Sequence, residues 1–207
     1  MTTPSSLGVF VAASIALLVV PGPAVLYIVG RSLSQGRAAG LMSVLGICTG
    51  TLFHVVAAAL GLTAVLRASP VAFSTIRYAG AAYLVWLGVR ALRSDAAPDG
   101  PASAPRLDRS MQIFGQGVMV NLLNPKTALF FLAFLPQFVD PSRGAIAGQV
   151  LFLGGLFVSL SLISDSVYAV LAGTFGHYLQ GHASFWRAQR YVTSGIFVAL
   201  GFIAAFA

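Results

Sequence analysis

Long apolar stretches alternate with short polar gaps along this chain. A hydrocarbon core of about 30 Å is crossed by about 20 predominantly apolar residues in helical form. Stretches near 7–29, 41–66, 70–92, 112–137, 145–172 and 190–206 supply that length in succession, the last being the shortest. They predict an all-α membrane protein of six transmembrane helices. The stretch 93–110, rich in Pro and small residues, reads as a flexible linker. It divides one transmembrane domain, 1–207, into a first half of about 7–92 and a second of about 111–207.

Composition agrees: 57% of the 207 residues are hydrophobic and 8% charged, too few to give a soluble fold a wettable surface. Residues 1–6 carry no Lys or Arg and the run from Leu7 to Val29 is too long for a signal-peptide core, so the segment is expected to stay as a spanning helix. The net charge of +7 comes from Arg residues scattered between apolar runs and forms no stripe for tracking phosphates, which argues against nucleic acid. Eight basic residues (Arg31, Arg37, Arg90, Arg93, Arg106, Arg109, Arg187, Arg190) fall in the gaps after spans one, three and five, against three (Arg67, Arg77, Arg143) on the other side. Cytoplasmic loops carry the basic excess, so both termini are expected outside and the linker inside.

The halves show signs of a repeat. Arg77-Tyr-Ala-Gly-Ala-Ala-Tyr-Leu-Val-Trp-Leu-Gly88 and Arg190-Tyr-Val-Thr-Ser-Gly-Ile-Phe-Val-Ala-Leu-Gly201 share five identities in twelve positions. Helix breakers recur in spans one and four, as Pro21-Gly22-Pro23 and as Asn124-Pro125. Three spans per half is odd, so a duplicated half must enter from the opposite side, giving an inverted 3+3 repeat with helices 1 and 4 broken. Chance coincidence of small and aromatic residues is the competing explanation.

Polar groups inside the spans mark where chemistry can occur. Pro21 and Pro23 remove two backbone donors, and irregular backbone at this depth is tolerated where it is buried in protein or lines a wet cavity. Lys126, the only lysine, follows Asn124-Pro125, and an ammonium at the centre of a span costs about 2.5–3.5 kcal/mol on insertion scales. It is expected to face the bundle interior and meet an anion, either internal or transported, with Asn121 and Asn124 sharing its face at helical spacing. Asp165 is the one acidic residue well inside a span, and the twelve Leu, Ile, Val and Phe residues from Leu151 to Leu171 outweigh its insertion cost of about 3 kcal/mol. It can serve as a proton carrier or as a counter-ion to Lys126. Tyr168, three residues on, can share its face or simply pack. Gly46-x-x-x-Gly50 permits close helix approach, and His54 beyond it is either a packing residue or a second titrating group.

Other chemistries lack their residues. Cys48 alone supports neither a disulfide nor a redox pair, His177 and His182 have no ligand partners to suggest a metal, and Asp165 has no second intramembrane carboxylate for an aspartyl protease. There is no G-x-S-x-G and no P-loop, so neither a hydrolase nor an ATP-driven pump is indicated, and no cofactor is expected.

The Pro-Gly-Pro of span one, the Gly-rich second span, Tyr-x-Gly-x-x-Tyr-Leu-x-x-Leu-Gly in the third, Asn-x-x-Asn-Pro-Lys in the fourth and the acidic residue of the fifth together resemble the lysine exporter (LysE/RhtB) family, nearest its homoserine/threonine-efflux-like branch. The resemblance spans essentially the whole chain. It implies no enzyme but an exporter in the cytoplasmic membrane, moving amino acids or their derivatives by proton antiport. The family pattern maps onto Pro21, Gly22, Pro23, Asn121, Asn124, Pro125, Lys126 and Asp165. With a single intramembrane carboxylate a neutral zwitterionic substrate fits better than a basic one. A basic amino-acid exporter and a non-transporting membrane scaffold remain the alternatives, and self-association of the chain stays open.

Overall fold

The computed structural model describes residues 4–68 and 110–179, with isolated positions among 71–89 and at 191 and 198. The regular structure among the described residues is helical: α1 (Pro4–Val19), α2 (Pro23–Gln35), α3 (Arg37–Ala68), α4 (Ser110–Leu122), α5 (Pro125–Leu129) and α6 (Ile146–Leu179). A π-helical turn, Phe130–Phe134, and a 3-10 turn, Leu135–Phe138, extend α5, and a second 3-10 turn covers Pro141–Arg143. Within α3 and α6, Arg37–Gly61 and Ile146–Thr174 are long and apolar enough to cross a membrane. Two helix pairs, Ser6–Val19 with Pro23–Gln35 and Ser110–Leu122 with Pro125–Phe138, meet the same test when each is taken together, bent by 49° and 48°, which gives two to four candidate spans among the described residues. Apart from those isolated positions the predicted third and sixth spans lie outside the described residues, as do His182 and nearly all of the linker.

Both bends sit where the prolines require them. Pro23 and Pro125 each occupy the first turn of a new helix, where a missing N–H costs nothing and the fixed φ suits the start. The first span outruns its expected end at Val29 and stays helical to Gln35, so Arg31 lies on a helix, not in a loop. Its continuation is held to α4: Tyr27 Oη donates to Ile113 O (2.8 Å), and the Arg31 guanidinium donates to Gln116 Oε1 and lies 5.5 Å above the Tyr27 ring.

The hub is α3, which packs against α2, α4 and α6. The spacing of Gly46 and Gly50 does what the sequence suggests, because both abut α4 backbone: Gly46 faces Phe114 O and Gly117, and a Cβ on Gly50 would stand 2.9 Å from Asn121 Cβ and from Val118 O. Phe10 of α1, Phe130, Phe131, Phe134 and Phe138 of the α5 extension and Phe157 of α6 form an aromatic core on the other side of the breaks, with ring centroids 4.4–5.9 Å apart. Large apolar side chains such as Leu52, Phe53 and Leu60 of α3 and Phe152, Ile163 and Val167 of α6 are exposed, as a lipid-facing surface demands.

The turn before α6 is polar. Asp140 accepts hydrogen bonds from Ser142 N (2.9 Å) and Oγ (2.6 Å) and pairs with Arg143 (2.9 Å). The Ser142 bonds, with help from Arg143, hold its carboxyl below the usual range, so the turn keeps its charge in mild acid and loses this contribution only as pH falls through that lowered value.

Candidate functional site

A helix that ends inside a membrane leaves carbonyls behind it and N–H groups ahead of it without helical partners, and lipid supplies none. At the first break Tyr168 Oη, reaching across from α6, donates to Val19 O (2.7 Å), and Lys126 Nζ, from the second break, donates to Val20 O (2.5 Å). Side chains of the second half thus close the open end of α1. Gly22 lies against the Lys126 stem, and a Cβ there would stand 3.1 Å from Lys126 Cδ. The extended φ of Gly22 (−120°) suits any residue, so space for the lysine, not backbone freedom, is what a side chain here would remove.

The two new helix starts differ. Asn124 caps α5, its side chain accepting from Lys126 N (3.1 Å). Gly22 has no side chain with which to cap α2, so the first-turn N–H groups of Ala24 and Val25 have no such acceptor, and both residues line a cavity.

That cavity lies where the two breaks cross. Leu17, Leu18, Gly22, Ala24 and Val25 line it from the first span, Ile47 and Thr51 from α3, Asn121, Asn124, Lys126 and Thr127 from the second break, and Phe157, Ser161 and Asp165 from α6. Its volume of about 30 Å³ has room for about two waters and not for an amino acid. Asp165 is buried and accepts from Ser161 Oγ (2.8 Å). Lys126 and Asp165 thus face one cavity with separate hydrogen-bond partners, and they do not form a direct ion pair.

Asn121 is held differently from the expectation. The helix stops at Leu122, so Asn121 and Asn124 do not share a helical face; the turn brings them together, with Asn124 Nδ2 donating to Asn121 Oδ1 (3.3 Å). Asn121 Nδ2 donates to Ile47 O (2.9 Å) and Thr51 Oγ1 (2.8 Å), and Oδ1 also accepts from Thr127 (2.9 Å). Both amide hydrogens therefore serve the junction of α3, α4 and α5. His54 Nε2 lies 3.0 Å from Asn121 O, which places the ring proton on Nε2, and the ring stacks on Phe131 at 6.3 Å. Gly22, Asn121, Asn124, Lys126 and Asp165 line the cavity, and His54 and Tyr168 do not. Pro21, Pro23 and Pro125 shape the breaks.

Ser161, Thr51 and Thr127 also line the cavity and escaped the sequence reading. Ser161 was within reach of it, standing four residues before Asp165 on one helix face. Thr51 had no such signal, since its partner is Asn121, seventy residues away. Among the described residues no group of His, Cys, Asp and Glu is arranged to hold a metal ion.

Comparison with known proteins places the chain. The family model described as LysE type translocator matches residues 15–207. A homoserine/homoserine lactone efflux protein of Salmonella typhi is 31% identical over 89% of this chain and 88% of its own length. A leucine efflux protein of Enterobacter sp. (strain 638) is 29% identical over 80% of this chain and 78% of its own. An uncharacterised membrane protein of Vibrio cholerae is 31% identical over 89% of both chains. No solved structure matches. A match over nearly the full length, with apolar bent helices around a cavity lined by Lys126 and Asp165, makes this a membrane transporter and not an enzyme: the chain belongs to the LysE type translocator family.

Proposed function

We propose that this chain is a secondary active exporter of amino acids or their derivatives, driven by proton antiport across the cytoplasmic membrane, with neutral zwitterions as its preferred solutes. The observation that carries the reading is the anion-ready corner of the cavity: the Lys126 ammonium, with two donors beyond the one given to Val20, beside the uncapped start of α2 at Ala24 and Val25. A carboxylate there meets a cation and the positive end of a helix dipole together. Asn124 adds an amide at the rim, while Asn121 acts by holding the junction in place. Opposite, Asp165 takes the solute's ammonium or a proton, and competition between the two is the coupling. The names of the relatives, homoserine/homoserine lactone efflux and leucine efflux, support a neutral solute.

The cavity as it stands is too small for such a solute, so the two breaks must part for loading. Nearly equal bends of 49° and 48° in the first and fourth predicted spans suit two inverted halves of three helices each, rocking about the midplane, with both termini outside and the linker in the cytoplasm. Purified protein in proteoliposomes tests the reading. An imposed proton gradient should drive uptake or release of labelled leucine or homoserine in the sense of antiport; solute flux indifferent to the gradient would overturn the coupling, and no flux of any amino acid would overturn the export reading.

A further inference from the structure

Nine polar or charged side chains are buried among the described residues: Ser14, Ser32, Ser43, Thr51, Asn121, Asn124, Thr127, Ser161 and Asp165. Eight have partners. Ser32, Ser43 and Thr51 return their hydroxyls to the carbonyl four residues back, Thr127 and Asn124 bond Asn121, Asn121 bonds α3, and Ser161 bonds Asp165. Ser14, fully buried in α1, has none. A hydroxyl in a helix can always turn back to the preceding turn, so leaving this one unbonded in a dry interior is the exception that needs a cause.

Its place on α1 supplies one. Phe10, Ser14, Leu17 and Leu18 fall at i, i+4, i+7 and i+8, a single helix face. At one end of that face Leu17 and Leu18 line the cavity. At the other, Phe10 packs against Phe130 (5.9 Å) and Phe138 (5.3 Å), so the aromatic core lies between Ser14 and the end at which α1 begins. The second buried polar atom without a partner, Gln137 Oε1, belongs to the same half of the bundle, in the 3-10 turn beside Phe138. The chain here is also irregular: Phe130–Phe134 is π-helical, a rare conformation that is frequent at functional sites.

We propose that Ser14 is a polar station on the exit route, placed to hydrogen-bond the departing solute or its water, and that the Phe10–Phe130–Phe138 cluster is the gate beyond it. The proposal rests on the export reading given above. It assigns the half of the bundle containing α1 and the α5 extension to the leg that is shut when the cavity is contracted. Export then requires Phe130 to swing away from Phe10, opening Ser14 to the outside.

The sole cysteine, Cys48, makes a direct test available. Ser14→Cys is built on Cys48→Ala and treated with a membrane-impermeant cationic methanethiosulfonate reagent, from the outside in cells and from the cytoplasmic side in inverted vesicles, with modification read by mass. The thiol should be inert at rest, become modified from the outside many-fold faster once cells are loaded with exported solute, and lose efflux when modified. Adding Phe130→Ala should make it reactive without solute. A thiol that stays inert during measured efflux, or reacts only from the cytoplasmic side, or is modified without effect on efflux, overturns the proposal. Absence of efflux from the unsubstituted protein would instead strike the export reading itself, so the two failures are distinguishable.

Discussion

The Lys126 ammonium reaches from the second helix break to the carbonyl of Val20 at the first, 2.5 Å away. An ammonium in a membrane interior needs acceptors, and a helix that ends there needs donors, so each break satisfies what the other lacks. One donor bond leaves two more on the same nitrogen, beside the cavity, which lets the proposed solute contact share a side chain with the structural one.

Lys126→Met separates those roles. Losing the bond to Val20 O costs about 1–3 kcal/mol for an unsatisfied buried carbonyl, while removing an ammonium from the span recovers about 2.5–3.5 kcal/mol on insertion scales. The two nearly cancel, so the variant should insert and melt in detergent much like the parent, yet lose solute binding and efflux. Retained affinity in an equilibrium binding assay would remove Lys126 from the solute site.

Asp165→Asn keeps the size of the side chain and an acceptor for Ser161 Oγ but cannot exchange a proton. Gradient-driven efflux in proteoliposomes should be lost while the protein remains folded. Undiminished coupling would show that the proton is carried elsewhere.

The glycine contacts between α3 and α4 predict a contrast. Gly50→Ala places a Cβ 2.9 Å from Asn121 Cβ and from Val118 O, neither of which can move without shifting α4, and should cost about 1–3 kcal/mol. Gly61→Ala, with nothing within 4 Å, should be neutral or stabilise α3 by up to about 1 kcal/mol. Thermal unfolding in detergent measures both, and equal effects would refute the close approach.

Asn121→Ala removes the donor to Ile47 and Thr51 and the acceptor for Asn124 and Thr127, so it should destabilise by about 2–3 kcal/mol. The loss should appear in unfolding at every pH alike, since no proton is exchanged. A variant as stable as the parent would mean that the junction of α3, α4 and α5 is held by other contacts.

These cases divide what the sequence could reveal from what it could not. Pro23 and Pro125 announce the bends because proline's missing N–H acts locally, and Gly46 and Gly50 announce a close approach because the absence of a side chain is visible in the sequence itself. Lys126 and Asp165 stand out because charge in an apolar stretch is costly wherever it lies. Their partners are another matter. Val20 offers only its carbonyl, which every residue has, and its availability follows from a helix end 106 residues away in sequence from the lysine that meets it. For the same reason the Asn121 amide could be read as free for a solute, when Ile47 O and Thr51 hold it. The uncapped start of α2 was written in Gly22 next to Pro23, but its meaning required knowing that the cavity opens beside it.

If the solute binds in the cavity at the crossing of the two breaks, a thiol placed on the cavity wall senses it. Ala24→Cys on Cys48→Ala puts a sulfur at the uncapped start of α2, and its modification rate is measured with and without saturating leucine or homoserine. The thiol should be reachable from the cytoplasmic side and protected by the exported solute. A rate unchanged by any amino acid that the protein demonstrably exports would contradict binding there.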